Sequence, residues 1–143
     1  MPCRKLPDDV RKATALLEES TASCDGFLLN ICLSYGSRDE IVQACKAVAR
    51  DFKEDKFLNS GKAAAGIEEL DEETFSSYLT TNSIPDPDIL IRTSGEHRIS
   101  NFLLYQMAYT ELFFVDKYWP EVTREDLSAI FACFAERSRR YGK

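Results

Sequence analysis

The chain has 143 residues, 44% of them hydrophobic and 29% charged, which describes one globular domain with a single core rather than a disordered segment. Its net charge of −6 argues against a general nucleic-acid binder, which needs a basic face to neutralise phosphates. The longest apolar runs, such as Phe27-Leu28-Leu29 and Leu112-Phe113-Phe114-Val115, are too short for a membrane span, and Met1-Pro2-Cys3-Arg4-Lys5 leads into charged sequence unlike a signal peptide.

Residues 7–23 read as a helix. Pro7 suits a first turn, Asp8 and Asp9 suit the positive end of the helix dipole, and Val10, Ala13, Leu16 and Leu17 keep helical spacing. Asp25-Gly26 marks a turn, and the apolar run from Phe27 to Leu33 reads as a strand covered on both faces. Ser37-Arg38-Asp39-Glu40 resembles a capping box, continued by Ile41, Ala44, Cys45 and Val48 on one helix face. Asn59-Ser60-Gly61 and the alanines after it predict a loop leading to a short helix. A further helix is predicted over 71–79, a turn at Pro85-Asp86-Pro87, and a second buried strand at Ile89-Leu90-Ile91. A helical run over 100–109, a third strand over 112–115 and a last helix from Thr123 to about Tyr141 complete the chain. In that helix Asp126 closes another capping box. Strands alternating with helices predict an α/β fold, a layered sandwich with a mainly parallel central sheet. Only three strands are legible and the chain opens on a helix, so the pattern reads as a sheet whose N-terminal strands are missing.

The five cysteines, Cys3, Cys24, Cys32, Cys45 and Cys133, form no Cys-x-x-Cys pair, which excludes a recognisable zinc or redox motif. They read as buried or partly buried thiols in a reducing compartment.

The segment that can carry chemistry is Arg92-Thr93-Ser94-Gly95-Glu96-His97-Arg98-Ile99-Ser100-Asn101-Phe102, between a strand and a predicted helix. Ligands in open α/β sheets collect at the carboxyl ends of strands, and arginine forks bind oxyanions bidentately, so this stretch can build a diphosphate pocket. Spacing alone equally allows Arg92 and Arg98 to be ion-pair partners of Glu96, and Ser100 or Asn101 to be a helix cap.

The order of residues separates these readings. The run from Arg92 to Leu104 closely resembles the signature of cis-prenyltransferases. The likeness continues through Tyr105-Gln106-Met107-Ala108-Tyr109-Thr110-Glu111-Leu112 to Trp119-Pro120. Leu29-Asn30-Ile31 and Tyr35-Gly36-Ser37-Arg38-Asp39-Glu40-Ile41 resemble a second family motif, and Arg137-Ser138-Arg139-Arg140-Tyr141-Gly142 resembles its C-terminal Arg-x-Gly element. The resemblance implies cis-condensation of isopentenyl diphosphate onto an allylic diphosphate to make a long polyprenyl diphosphate of the undecaprenyl or dolichol type. It implies that Arg92, Arg98 and Ser100 hold the diphosphate of isopentenyl diphosphate, and that Glu111 helps to hold Mg²⁺. Arg140 and Gly142 would reach across a homodimer to complete the partner's site. Arginines and Mg²⁺ suit this reaction because charge develops on phosphate oxygens as diphosphate leaves, and Mg²⁺ accepts one or two carboxylates beside phosphate and water.

Other residues take structural readings. His97 reads as a hydrogen-bonding loop residue and Asp86 and Asp88 as parts of a proline turn. Trp119-Pro120 reads as core packing followed by a turn, and Asn30 and Arg38 as scaffolding. Ser34 and Ser37 stand where many family members carry asparagine and glycine. The family's Asp-Gly-Asn-Gly-Arg motif, which binds Mg²⁺ and the allylic diphosphate, does not occur, since Asp25-Gly26 runs on into Phe27. The chain therefore reads as the C-terminal part of one cis-prenyltransferase domain over 1–143, a fragment without the allylic half-site and inactive by itself. The alternative is a non-catalytic subunit supporting a separate catalytic chain, although such subunits typically lose the arginines kept here. Because the product is greasy, the resemblance also implies cytoplasmic work at a membrane surface, on the endoplasmic reticulum in a eukaryote.

Overall fold

The computed structural model describes residues 6–54 and 67–137, which fall into two compact units divided between Gly36 and Ser37. The predicted alanine-rich loop lies largely outside the described residues, as do Arg140, Gly142 and the end of the last predicted helix.

In the first unit, helix α1 spans Asp8–Thr21. Pro7 precedes it with φ −54° and its carbonyl accepts from the Arg11 amide, so its locked φ starts the helix while its missing N–H costs no bond. The predicted helix is present, and its Leu16 and Leu17 are exposed. The predicted strand at 27–33 is not formed. Phe27 is 86% exposed and Leu28 and Leu29 about as open, because a strand exists only in a ladder and the described residues of this unit supply none.

The second unit starts with α2, Ser37–Lys53, which buries Ser37, Glu40, Ala44 and Val48 on one face. Ala44 and Val48 join Leu79, Met107 and Ile130 as the buried apolar core. Ile67–Glu69 forms a single 3₁₀ turn, and α3, Glu72–Ser76, is shorter than predicted. Asp71 caps it by accepting from the Thr74 amide at 2.7 Å. Tyr78 ties the following turn to α2 through its hydroxyl, which donates to Asp51 Oδ2 at 3.0 Å.

Strands β1, Ile89–Arg92, and β2, Glu111–Phe114, pair in parallel, with Ile89 opposite Glu111 and Arg92 opposite Phe114. Residues 85–88 lead into this ladder without a hydrogen-bonded turn: the Glu111 amide donates to the Asp88 carbonyl and the Thr110 hydroxyl to that of Pro87. β1 is less buried than predicted. β1 is half-buried throughout and Leu112 and Phe114 of β2 are exposed, since each strand of a two-stranded sheet is an edge.

The predicted helix over 100–109 is absent. Ser100, Asn101 and Leu103 adopt left-handed φ values of 48°, 63° and 45°, which no right-handed helix accommodates, and the crossover from β1 to β2 runs as linked turns instead. Trp119 sits in a 3₁₀ turn, Trp119–Glu121, and is 66% exposed, so it is not the core residue predicted. Helix α4, Arg124–Glu136, begins at the predicted capping box, with Thr123 and Asp126 bonding reciprocally. Cys24, Cys32, Cys45 and Cys133 are in no disulfide and are exposed rather than buried, because three of them lie on outer helix faces or in the open 22–36 segment and the fourth on the outer side of α4.

Candidate functional site

Arg92 ends β1, at the carboxyl edge of the sheet where α/β folds gather ligands. Its Nε is buried and has no hydrogen-bond partner. A buried guanidinium donor without an acceptor is costly, so an anion is the chemistry that this position lacks. The chain then turns sharply through Ser94 and Gly95, both left-handed, with φ of 69° and 65°. The Ser94 amide donates to the Lys117 carbonyl at 2.8 Å, and the Gly95 amide to that of Val115 at 3.1 Å. These bonds pin the start of the arginine loop to the segment leaving β2, and glycine serves where φ is positive.

Further along, Arg98 forms an ion pair with Glu96 through its Nη1. The Arg98 side chain is 67% exposed, so the pair is open to water and exchangeable by a stronger anion. His97 stacks its ring on Phe114, centroids 5.0 Å apart, which fixes the loop over the end of β2 by packing. Ser100 follows, exposed and left-handed. Arg92 thus ends β1, and Arg98 and Ser100 follow on the segment that leaves it, with Glu96 as the counter-charge of Arg98.

Glu111 is not brought to that end. It opens β2 opposite Ile89, three residues from the level of Arg92, or about 10 Å along the strand. Its Oε2 accepts from Arg137 Nη1 at 2.5 Å. Arg137 also lies over the Phe113 ring, 4.5 Å from its centroid. The carboxylate keeps the Arg137 guanidinium above its usual range. Among the described residues no group of three or more acidic, histidine or cysteine side chains could hold a metal ion. Glu111 fits Mg²⁺ only as one ligand of a set completed by phosphate oxygens and water. No residue spacing announced the Glu111–Arg137 pair, because its partners are 26 residues apart.

Asn101 plays a part that its own segment did not reveal. It caps α2 across the fold, its side-chain Oδ1 accepting from the Arg38 amide and its backbone carbonyl from the Ser37 amide, each at 2.9 Å. Ser37 and Glu40, predicted to cap α2 between themselves, reach instead to residues 104, 80 and 106.

The family model described as "Putative undecaprenyl diphosphate synthase" matches residues 2–142, and the chain belongs to that family. It is 50% identical over 138 residues to a geranylgeranyl-diphosphate-specific tritrans,polycis-undecaprenyl-diphosphate synthase of Pyrococcus horikoshii, covering 96% of this chain and 49% of the relative. An isoprenyl transferase of Bacillus anthracis is 46% identical, with 96% of this chain and 50% of the relative covered. The chain thus spans about half the length of these curated relatives. Among solved structures, lavandulyl diphosphate synthase of Lavandula x intermedia, in complex with dimethylallyl diphosphate, is similar with a TM-score of 0.84 and 31% identity. That match covers 99% of this chain and 57% of the other. A probable undecaprenyl diphosphate synthase of Campylobacter jejuni gives a TM-score of 0.80 and 34% identity, over 99% of this chain and 60% of its own.

Proposed function

We propose that this chain carries the isopentenyl-diphosphate half-site of a cis-prenyltransferase making long polyprenyl diphosphates. The observation that carries the reading is the buried, unpartnered Nε of Arg92 at the carboxyl end of β1. Arg92 grips the diphosphate from below, Arg98 leaves Glu96 to close on it, and the Ser100 hydroxyl donates a further bond. A doubly charged phosphate group outcompetes one exposed carboxylate for a guanidinium, because charge-assisted bidentate bonds are stronger than a solvated ion pair. Glu111 serves as one carboxylate ligand of Mg²⁺, an ion that neutralises charge developing on diphosphate oxygens. Because Glu111 accepts from Arg137, this role needs its release from that partner.

The 143 residues contain no Asp-Gly-Asn-Gly-Arg segment, so by themselves they do not transfer prenyl groups. An in-trans or in-cis allylic half is required. Arg140 and Gly142 act across a homodimer, and the protein works in the cytoplasm at a membrane surface, on the endoplasmic reticulum in a eukaryote. Among the described residues no helix is long and apolar enough to cross a membrane. A non-catalytic subunit is the second reading; it explains the absent allylic motif but not the retained Arg92, Arg98 and Ser100.

Calorimetric titration with isopentenyl diphosphate and Mg²⁺ tests the proposal. Binding by the chain, weakened about tenfold or more in Arg98→Ala, is the expected result. Equal affinity in the variant overturns the half-site, and polyprenyl product from the purified chain alone overturns its inactivity.

A further inference from the structure

We propose that Glu40 is a positioning residue for the anion loop, holding Arg98 and Ser100 in place from a buried hub without touching ligand. The inference rests on the diphosphate reading above. A carboxylate removed from water is costly unless its oxygens are fully bonded, and Glu40 is only 6% exposed. Its Oε1 accepts from the Thr80 amide at 3.0 Å and from the Thr80 hydroxyl, while its Oε2 accepts from Gln106 Nε2 at 3.1 Å. Gln106, 4% exposed, also donates from Nε2 to the Thr81 hydroxyl at 2.8 Å.

One turn of α2 away, fully buried Ser37 accepts from the Leu104 amide at 2.9 Å. With the two bonds from Asn101 to the start of α2, residues 37–40 clamp residues 101–106 at four points. The clamped stretch cannot hold its own shape. Its left-handed Ser100, Asn101 and Leu103 each cost about 1 kcal/mol or more and persist only where the surroundings over-determine them. Ser100 immediately precedes the clamp and Arg98 lies three residues before it, so the clamp anchors the end of the segment that carries them. Burying an acid also constrains the hub more than an apolar contact would, because both oxygens demand donors in fixed directions.

The test exchanges donors and acceptors. In Glu40→Gln the buried charge is lost, and with the new carbonyl kept on Thr80 its NH₂ meets the Gln106 amide, which must turn its unpartnered Oε1 toward it and withdraw its donor from Thr81. In Glu40→Gln combined with Gln106→Glu, complementarity returns, because the new amide donates to the new carboxylate and still accepts from Thr80. Two readouts are taken on protein that circular dichroism shows fully folded: hydrogen exchange at the Ser37, Arg38 and Leu104 amides, and isopentenyl diphosphate affinity by calorimetry. Glu40→Gln is expected to speed exchange at those amides by about tenfold and weaken binding about fivefold or more, both recovered in the exchanged pair. Unchanged exchange, affinity lost only in proportion to unfolded protein, or failure of the exchanged pair to recover overturns the proposal. If the unmodified chain does not bind isopentenyl diphosphate, the diphosphate reading fails. The exchange data then decide alone: acceleration confined to the three amides supports the hub, and uniform or absent acceleration overturns it.

Discussion

Arg137 holds Glu111 by a 2.5 Å hydrogen-bonded ion pair and covers Phe113 of the same strand, so the carboxylate proposed for Mg²⁺ is occupied by a cation of its own chain. Both side chains are partly exposed, so the pair is screened by water and weak. Removing the competing cation in Arg137→Gln is therefore expected to tighten Mg²⁺ binding two- to fivefold, roughly the equivalent of that pair, in the presence of isopentenyl diphosphate. Glu111→Gln should abolish it. Titration with Mn²⁺ followed by electron paramagnetic resonance reads both, and unchanged binding in Glu111→Gln removes Glu111 from the metal site.

Arg92 differs from Arg98 in that its buried Nε finds no hydrogen-bond partner among the described residues. Arg92→Lys keeps the charge and loses the planar fork, and should weaken diphosphate binding by about 10- to 100-fold, the worth of one charged hydrogen bond. The same change should leave the melting temperature equal or higher, since an unsatisfied buried donor is removed. A variant that melts much lower but binds normally would assign Arg92 to the frame instead.

Gly95 has φ of +65°, and a Cβ built there meets Asp116 Oδ1 at 3.6 Å, an ordinary contact. Space is thus available and only conformation resists. Gly95→Ala is expected to cost about 1 kcal/mol in a urea melt, with Gly95→Asn costing less. A loss of several kcal/mol would mean that the loop cannot absorb the change.

Asp126 is held at about 2, chiefly by its bonds from the Lys117 ammonium and then from the Thr123 amide. Its pKa is depressed on folding, so its contribution is present above the unfolded value near 4 and is lost as pH falls toward 2. The start of α4 should fray over that window, and earlier in Thr123→Ala, which removes the cap at a cost of about 1 kcal/mol. Hydrogen exchange at the Leu127 amide, bonded to the Thr123 carbonyl, follows the change. A protection factor there that does not change across this pH window would show that the capping box adds nothing.

Local signals were read well where a residue's partner lies within one helical turn. Thr123 and Asp126 form their predicted box, and Pro7 opens α1. They were misread where the same residue types had distant partners. Ser37 and Glu40 looked like a self-contained cap, but their oxygens accept from residues 67 and 66 positions away as well as from Thr80. The spacing over 100–109 suited a helix, yet three left-handed residues and the cap that Asn101 lends to α2 prevent one.

By itself the sequence determined the family, the parallel pair around Ile89–Arg92 and Glu111–Phe114, and the arginine loop after the first strand, because motif order and short-range periodicity are written in consecutive residues. Only the tertiary structure decided that Arg98 is paired with Glu96, that Glu111 is held by Arg137 a few residues' length from Arg92, and that Phe27–Leu33 forms no strand in its own unit. Those outcomes depend on which chain segments meet. Burial and hydrogen bonding act through space, and no local pattern encodes the partner that will be there.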